Sequence, residues 1–116
     1  MNNFRELKVW QKSIDFVVEI YKITKSFPSE EKFNLVSQMQ RAATSIPSNI
    51  SEGAGKNSNN AFKNFVTISI GSAHELETQI IISSKLGYVS NEANRQLLRE
   101  LTEIQKMLYG LFNSLN

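Results

Sequence analysis

The stretch Ser51-Glu52-Gly53-Ala54-Gly55-Lys56-Asn57 invites a chemical reading first, because glycine-rich backbone followed by lysine can cradle phosphates. The spacing excludes a phosphate loop. That pattern needs glycine at position 50, where Ile50 stands, and serine or threonine at 57, where Asn57 stands, together with a preceding strand. The glycines are better explained as the end of a helix. His74, Glu75 and Glu77 raise the question of a carboxylate-bridged metal site, which in a bundle core uses two Glu-x-x-His elements and two further glutamates. This sequence has one histidine and no Glu-x-x-His, so neither a metal nor a cofactor is expected. On a helical wheel Glu77 falls at the core boundary, Glu75 toward the opposite side and His74 away from the main apolar stripe. A carboxylate near a bundle core needs a partner, and Arg41 is the expected one for Glu75 or Glu77. Arg41 and Glu52, eleven residues apart, share one side of a helix and could join that ion network; the spacing describes two unrelated solvated charges equally well. No serine has an identifiable base beside it, and no catalytic residue is assigned.

For nucleic acid the candidates are Arg5, Lys8 and Lys12 near the start of the chain, with Lys56 and Lys63 around the glycine run. No helix-turn-helix, zinc-finger or aromatic stacking signature accompanies them, so base-specific reading is not expected. If subunits formed a ring, each modest basic patch would repeat about an axis, and affinity through phosphate contacts would rise with the number engaged.

The elements that must position these residues are helical. Two prolines and five glycines punctuate the chain, and the long intervals between them carry helical periodicity. A first helix is expected from Phe4 to Lys25, ending before Phe27-Pro28. Ser29 is expected to cap a second, favoured by Glu30 and Glu31 in its first turn and running to about Glu52, with a kink or break near Ser45 caused by Pro47. Ser58 or Asn59 caps a third, which runs to Leu86 and stops at Gly87. The fourth follows Ser90, with Leu97, Leu101, Ile104, Leu108, Leu111 and Leu115 on one face. Short connections favour a single domain over residues 1–116, an all-α antiparallel up-and-down four-helix bundle.

The first helix is apolar on two sides. Leu7, Trp10, Ile14, Val17, Val18 and Tyr21 form one stripe, read as the core face, and Val9, Phe16, Ile20, Ile23 and Phe27 lie opposite. A peripheral helix needs one buried stripe, so the second is expected to meet another subunit: Val9, Phe16, Ile20 and Ile23, joined by Ile68 and Ile82 of the third helix, make the expected oligomer interface.

Composition fits this. The 116 residues are 41% hydrophobic and 21% charged, enough for one compact core. Thirteen basic against eleven acidic residues give a net charge of +2, which permits nucleic-acid binding without demanding it. Zero cysteines exclude disulfides, thiolate metal sites and cysteine nucleophiles. No stretch approaches the roughly 20 apolar residues of a membrane span, and the N-terminus lacks a secretory pattern, so a soluble cytoplasmic protein is expected.

Five stretches carry a family resemblance: Phe4 to Gln11 (FRELKVWQ), Phe27-Pro28, Gln38 to Gly55 (QMQRAATSIPSNISEGAG), Gly71 to Gln79 (GSAHELETQ) and Leu86-Gly87-Tyr88. With them the chain resembles the 23S rRNA-intervening sequence proteins, four-helix bundles related to the accessory variability determinants of diversity-generating retroelements. The resemblance implies a protomer that assembles into a ring-like homopentamer, and it implies no enzyme. The retroelement relatives contact nucleic acid and a reverse transcriptase. Arg41, Pro47, Asn49, Glu52, Gly53, Glu75 and Glu77 match family motif positions and look like architecture or assembly. The family usually carries a second basic residue after the glycine turn; here Lys56 is followed by Asn57, which leaves a smaller basic cluster. The function expected is a non-enzymatic ring with weak, salt-dependent binding of RNA or DNA. The alternative is an oligomeric scaffold for a partner protein such as a reverse transcriptase.

Overall fold

The computed structural model describes residues 3–116. Four helices account for most of them: α1 (Lys8–Thr24), α2 (Leu35–Ala54), α3 (Asn59–Lys85) and α4 (Asn91–Ser114), with 3-10 turns at Phe4–Glu6 and Ser29–Glu31. Each helix packs antiparallel to the next. α2 lies between α1 and α3, α3 between α2 and α4, and a thinner α1–α4 seam closes an up-and-down bundle about 43 Å long.

Local sequence explains most boundaries. Ser58 Oγ accepts from the Ala61 amide at 3.1 Å and Ser90 Oγ from the Ala93 amide at 3.1 Å, capping α3 and α4 as expected. Gly87 adopts φ +82°, the Tyr88 amide donates to Ser83 O and the Gly87 amide to Ser84 O, so paired reverse bonds end α3. The second helix differs from expectation. Ser29 opens only a 3-10 turn and caps nothing with its side chain, and α2 starts six residues later, at Leu35. A long-range contact holds that segment: the Tyr88 hydroxyl donates to Glu31 Oε2 at 2.9 Å, and the Phe27 and Tyr88 rings lie 5.3 Å apart. No break occurs at Ser45. α2 is continuous through the buried Pro47, and the Asn49 amide donates to both Ser45 O and Ser45 Oγ at 2.8 and 2.9 Å.

Small residues let α2 and α3 approach closely. Ala42, Ala43, Ser69, Ser72 and Ala73 are all buried. Gly53 is inside α2 rather than its stop, and a Cβ there would lie 2.8 Å from both Phe62 Cδ1 and Phe65 Cβ. The buried serines bond locally or across, Ser69 Oγ donating to Ile46 O at 2.9 Å and the Ser45 and Ser72 hydroxyls pairing at 2.8 Å. Ile20, Met39, Ile46, Ile50, Leu76, Ile80, Leu101 and Leu108 form the dry centre.

The two faces of α1 are exchanged relative to expectation. Val9, Phe16 and Ile20 are buried in the protomer's own core, so these three cannot form a subunit interface; Ile23 packs against that core and is partly exposed. Of the stripe read as core, Val18 and Tyr21 face outward, 48% and 43% exposed, while Leu7, Trp10 and Val17 are half-buried and pack against the core from its edge. The reason lies in Ser13 and Thr24, which interrupt the inner stripe with polar residues in sequence. In the helix their hydroxyls donate to Trp10 O and Ile20 O, each at 2.8 Å, and so bury at little cost. Ile68 and Ile82 are 50% and 44% exposed on α3, where the sequence reading placed them.

Candidate nucleic-acid interface

Up-and-down topology decides which charges meet. The start of α1, the α2–α3 connection and the end of α4 all fall at one end of the bundle, which carries Arg5, Lys8, Lys56 and Lys63 against Glu6 and Glu52. Beneath them sits an apolar cap of Ala54, Phe62, Val66 and Leu115, with Phe4, Leu7, Leu111 and Phe112 packed against it. The cations lie over aromatic rings: Arg5 over Phe4 at 5.1 Å, Lys56 over Phe65 at 5.2 Å and Lys63 over Phe112 at 4.7 Å. Lys63 Nζ also donates to Asn116 Oδ1. Phe112 is 49 residues from Lys63 in sequence, so that pairing depends on α4 ending beside the start of α3.

Lys12 stands apart from this group. Its ammonium pairs with Glu103 Oε1 at 2.9 Å across the α1–α4 seam, with both side chains about half exposed. The hydrogen bond and the opposite charge hold the Lys12 ammonium above its ordinary pKa and the Glu103 carboxyl below its own. The seam is otherwise acidic: Asp15, Glu19, Glu100 and Glu103 surround a hollow of about 200 Å3 floored by Phe16 and Ile104. Lys12 is therefore occupied by a carboxylate beside a surface that repels phosphate.

The expected ion network does not form. Arg41 and Glu75 line one hollow between α2 and α3 with Gln38, Ser45 and Ser72, yet they make no ion pair, and Glu75 Oε2 accepts from Gln79 Nε2 at 3.4 Å. Glu77 faces α4 instead, accepting from Gln105 Nε2 at 2.8 Å, and Glu52 is exposed at the end of α2. Eleven residues separate Arg41 and Glu52 by roughly 16 Å along the helix axis, too far for a direct pair. Among the described residues Lys12–Glu103 is the one ion pair.

Sequence reading missed a second basic surface. Arg95, Arg99 and Lys106 line a shallow hollow on the outer face of α4 with Leu98, Thr102 and Glu103. Their spacing of four and seven residues was the available signal. Among the described residues no group of His, Cys, Asp or Glu side chains is placed to hold a metal ion, and no helix is long and apolar enough to cross a membrane.

These features define an all-α antiparallel four-helix bundle with Arg5, Lys8, Lys56 and Lys63 at one end and further cations along α4 and at the other end. The chain belongs to the 23S rRNA-intervening sequence protein family, whose model matches residues 5–110. A solved structure similar to it is that of a protein of unknown function from the S23 ribosomal protein family of Bacteroides thetaiotaomicron VPI-5482. The two share 30% sequence identity with a TM-score of 0.83, over 90% of this chain and 95% of that one. No curated protein matches the sequence.

Proposed function

We propose that the protein is a non-enzymatic, cytoplasmic assembly protein that forms a ring-like homopentamer and binds nucleic acid, structured RNA foremost, through its phosphates. The observation that carries this reading is the gathering of Arg5, Lys8, Lys56 and Lys63 at one end of the bundle. Repetition of that end around a ring would multiply weak contacts, each lysine adding counterion release to the binding free energy. The exposure of Val18 and Tyr21 on α1, with Ile68 and Ile82 on α3, supports assembly, since exposed large apolar side chains favour coverage. The number five rests on the family resemblance.

The test is binding of a mixed RNA pool by wild type and by Lys8→Glu/Lys56→Glu at several salt concentrations. The double variant is expected to bind more weakly at low salt, with the slope of log affinity against log salt shallower by about 1 per lysine. Unchanged affinity and slope would remove the phosphate reading. Exposure of Ile68, Ile82 and Leu86 favours a second reading, a scaffold for a partner protein such as a reverse transcriptase. Docking on an apolar face would persist in salt that abolishes phosphate contacts.

A further inference from the structure

We infer that the basic end of the bundle takes single-stranded rather than duplex nucleic acid, with bases stacked on Phe4, Phe65 and Phe112 and phosphates met by Arg5, Lys56 and Lys63. The inference rests on the nucleic-acid reading above and narrows it. Each ring is half-buried, so part of it is held by the protein and part reaches solvent. Phe4 and Phe112 are held against the apolar cap, and Phe65 Cβ abuts the position of Gly53. A cation 4.7 to 5.2 Å from each ring centroid covers one ring face, which a base takes by displacing it.

An unpaired base stacks on such a face more strongly than an exposed lysine does. The flexible lysine then swings aside, and its ammonium stays within reach of the same nucleotide's phosphate. Ring and cation thus match the two parts of one nucleotide. In a duplex the base faces are already stacked on each other, and rings half-buried in the bundle cannot reach them. Lys32 over Phe33, at 5.3 Å, provides an internal contrast. That pair lies at the opposite end of the bundle, where Glu30 and Glu31 offset Lys22, Lys25 and Lys85, and Phe33 is 88% exposed with no apolar cap beneath it.

The experiment is fluorescence anisotropy on the full chain with a labelled RNA oligonucleotide free of self-complementarity, and with the same strand annealed to its complement, across a salt series. Wild type is expected to favour the single strand by about tenfold. Phe65→Leu and Phe112→Leu keep an apolar side chain at each position. Each is expected to weaken single-strand binding by about fivefold or more without changing the salt slope. Lys56→Met should give the reciprocal result, a shallower slope with the single-strand preference retained, and Phe33→Leu should bind as wild type. Melting by circular dichroism verifies that each variant is folded. Equal affinity for duplex with a steep salt slope would overturn this inference and leave the phosphate reading standing, as would ring variants that bind like wild type. Absence of binding to either form at low salt would overturn both.

Discussion

At the residue scale Gly53 is the position least able to change, because Phe62 and Phe65 occupy the space where its side chain would begin. Gly53→Ala is expected to lower stability by about 1–3 kcal/mol through overpacking of the α2–α3 contact, read as a lower melting temperature. Gly110→Ala, in α4 with nothing within 4 Å of the added carbon, should raise it by about 0.5–1 kcal/mol. The Lys12–Glu103 pair sets a pH dependence of known sign. Glu103 is lowered by the bond and charge of Lys12, so its contribution is complete above the unfolded carboxylate's pKa and disappears as pH falls through the folded value. Lys12 is raised by Glu103, so its contribution is complete below the unfolded ammonium's pKa and disappears as pH rises through the folded value. Both groups are solvated, and the effect is small. Melting temperatures of wild type and Glu103→Gln should differ most around neutral pH and converge in acid and in alkali; a constant difference would mean that the pair does not hold the seam.

At the element scale the limits of α3 and α4 were legible because they are set locally, by Ser58, Ser90 and Gly87. The start of α2 was not, because Tyr88 reaches Glu31 from 57 residues away, a contact that leaves no periodic trace. The faces of α1 were misassigned for a different reason. Hydrophobic periodicity scores Ser13 and Thr24 as solvent-facing, while a helix supplies its own carbonyls to their hydroxyls. The corrected faces yield a paired prediction. Val18→Asp should leave helicity and melting nearly unchanged while reducing the mass seen by light scattering. Phe16→Asp should unfold the protomer by burying an unpaired charge. Equal effects of the two on mass and melting would count against the outward stripe as a subunit face.

At the scale of the whole molecule, sequence reading named four cations that the topology does gather, Arg5, Lys8, Lys56 and Lys63. It did not see that Lys12 is taken by Glu103, that rings lie under three of the basic groups, or that Arg95, Arg99 and Lys106 make a second surface. The Lys12–Glu103 and Lys63–Phe112 pairings depend on which helices are neighbours, which the sequence does not supply, whereas the α4 cations carry a helical spacing that was legible. The acidic α1–α4 seam carries a last consequence. The ion pair that crosses it is solvated, so dissolved ions screen its attraction as they screen contacts between the basic end and phosphates. Ionic strength therefore weakens both in the same sense, and the low-salt conditions that favour nucleic-acid capture are also those in which α1 is held most firmly to α4.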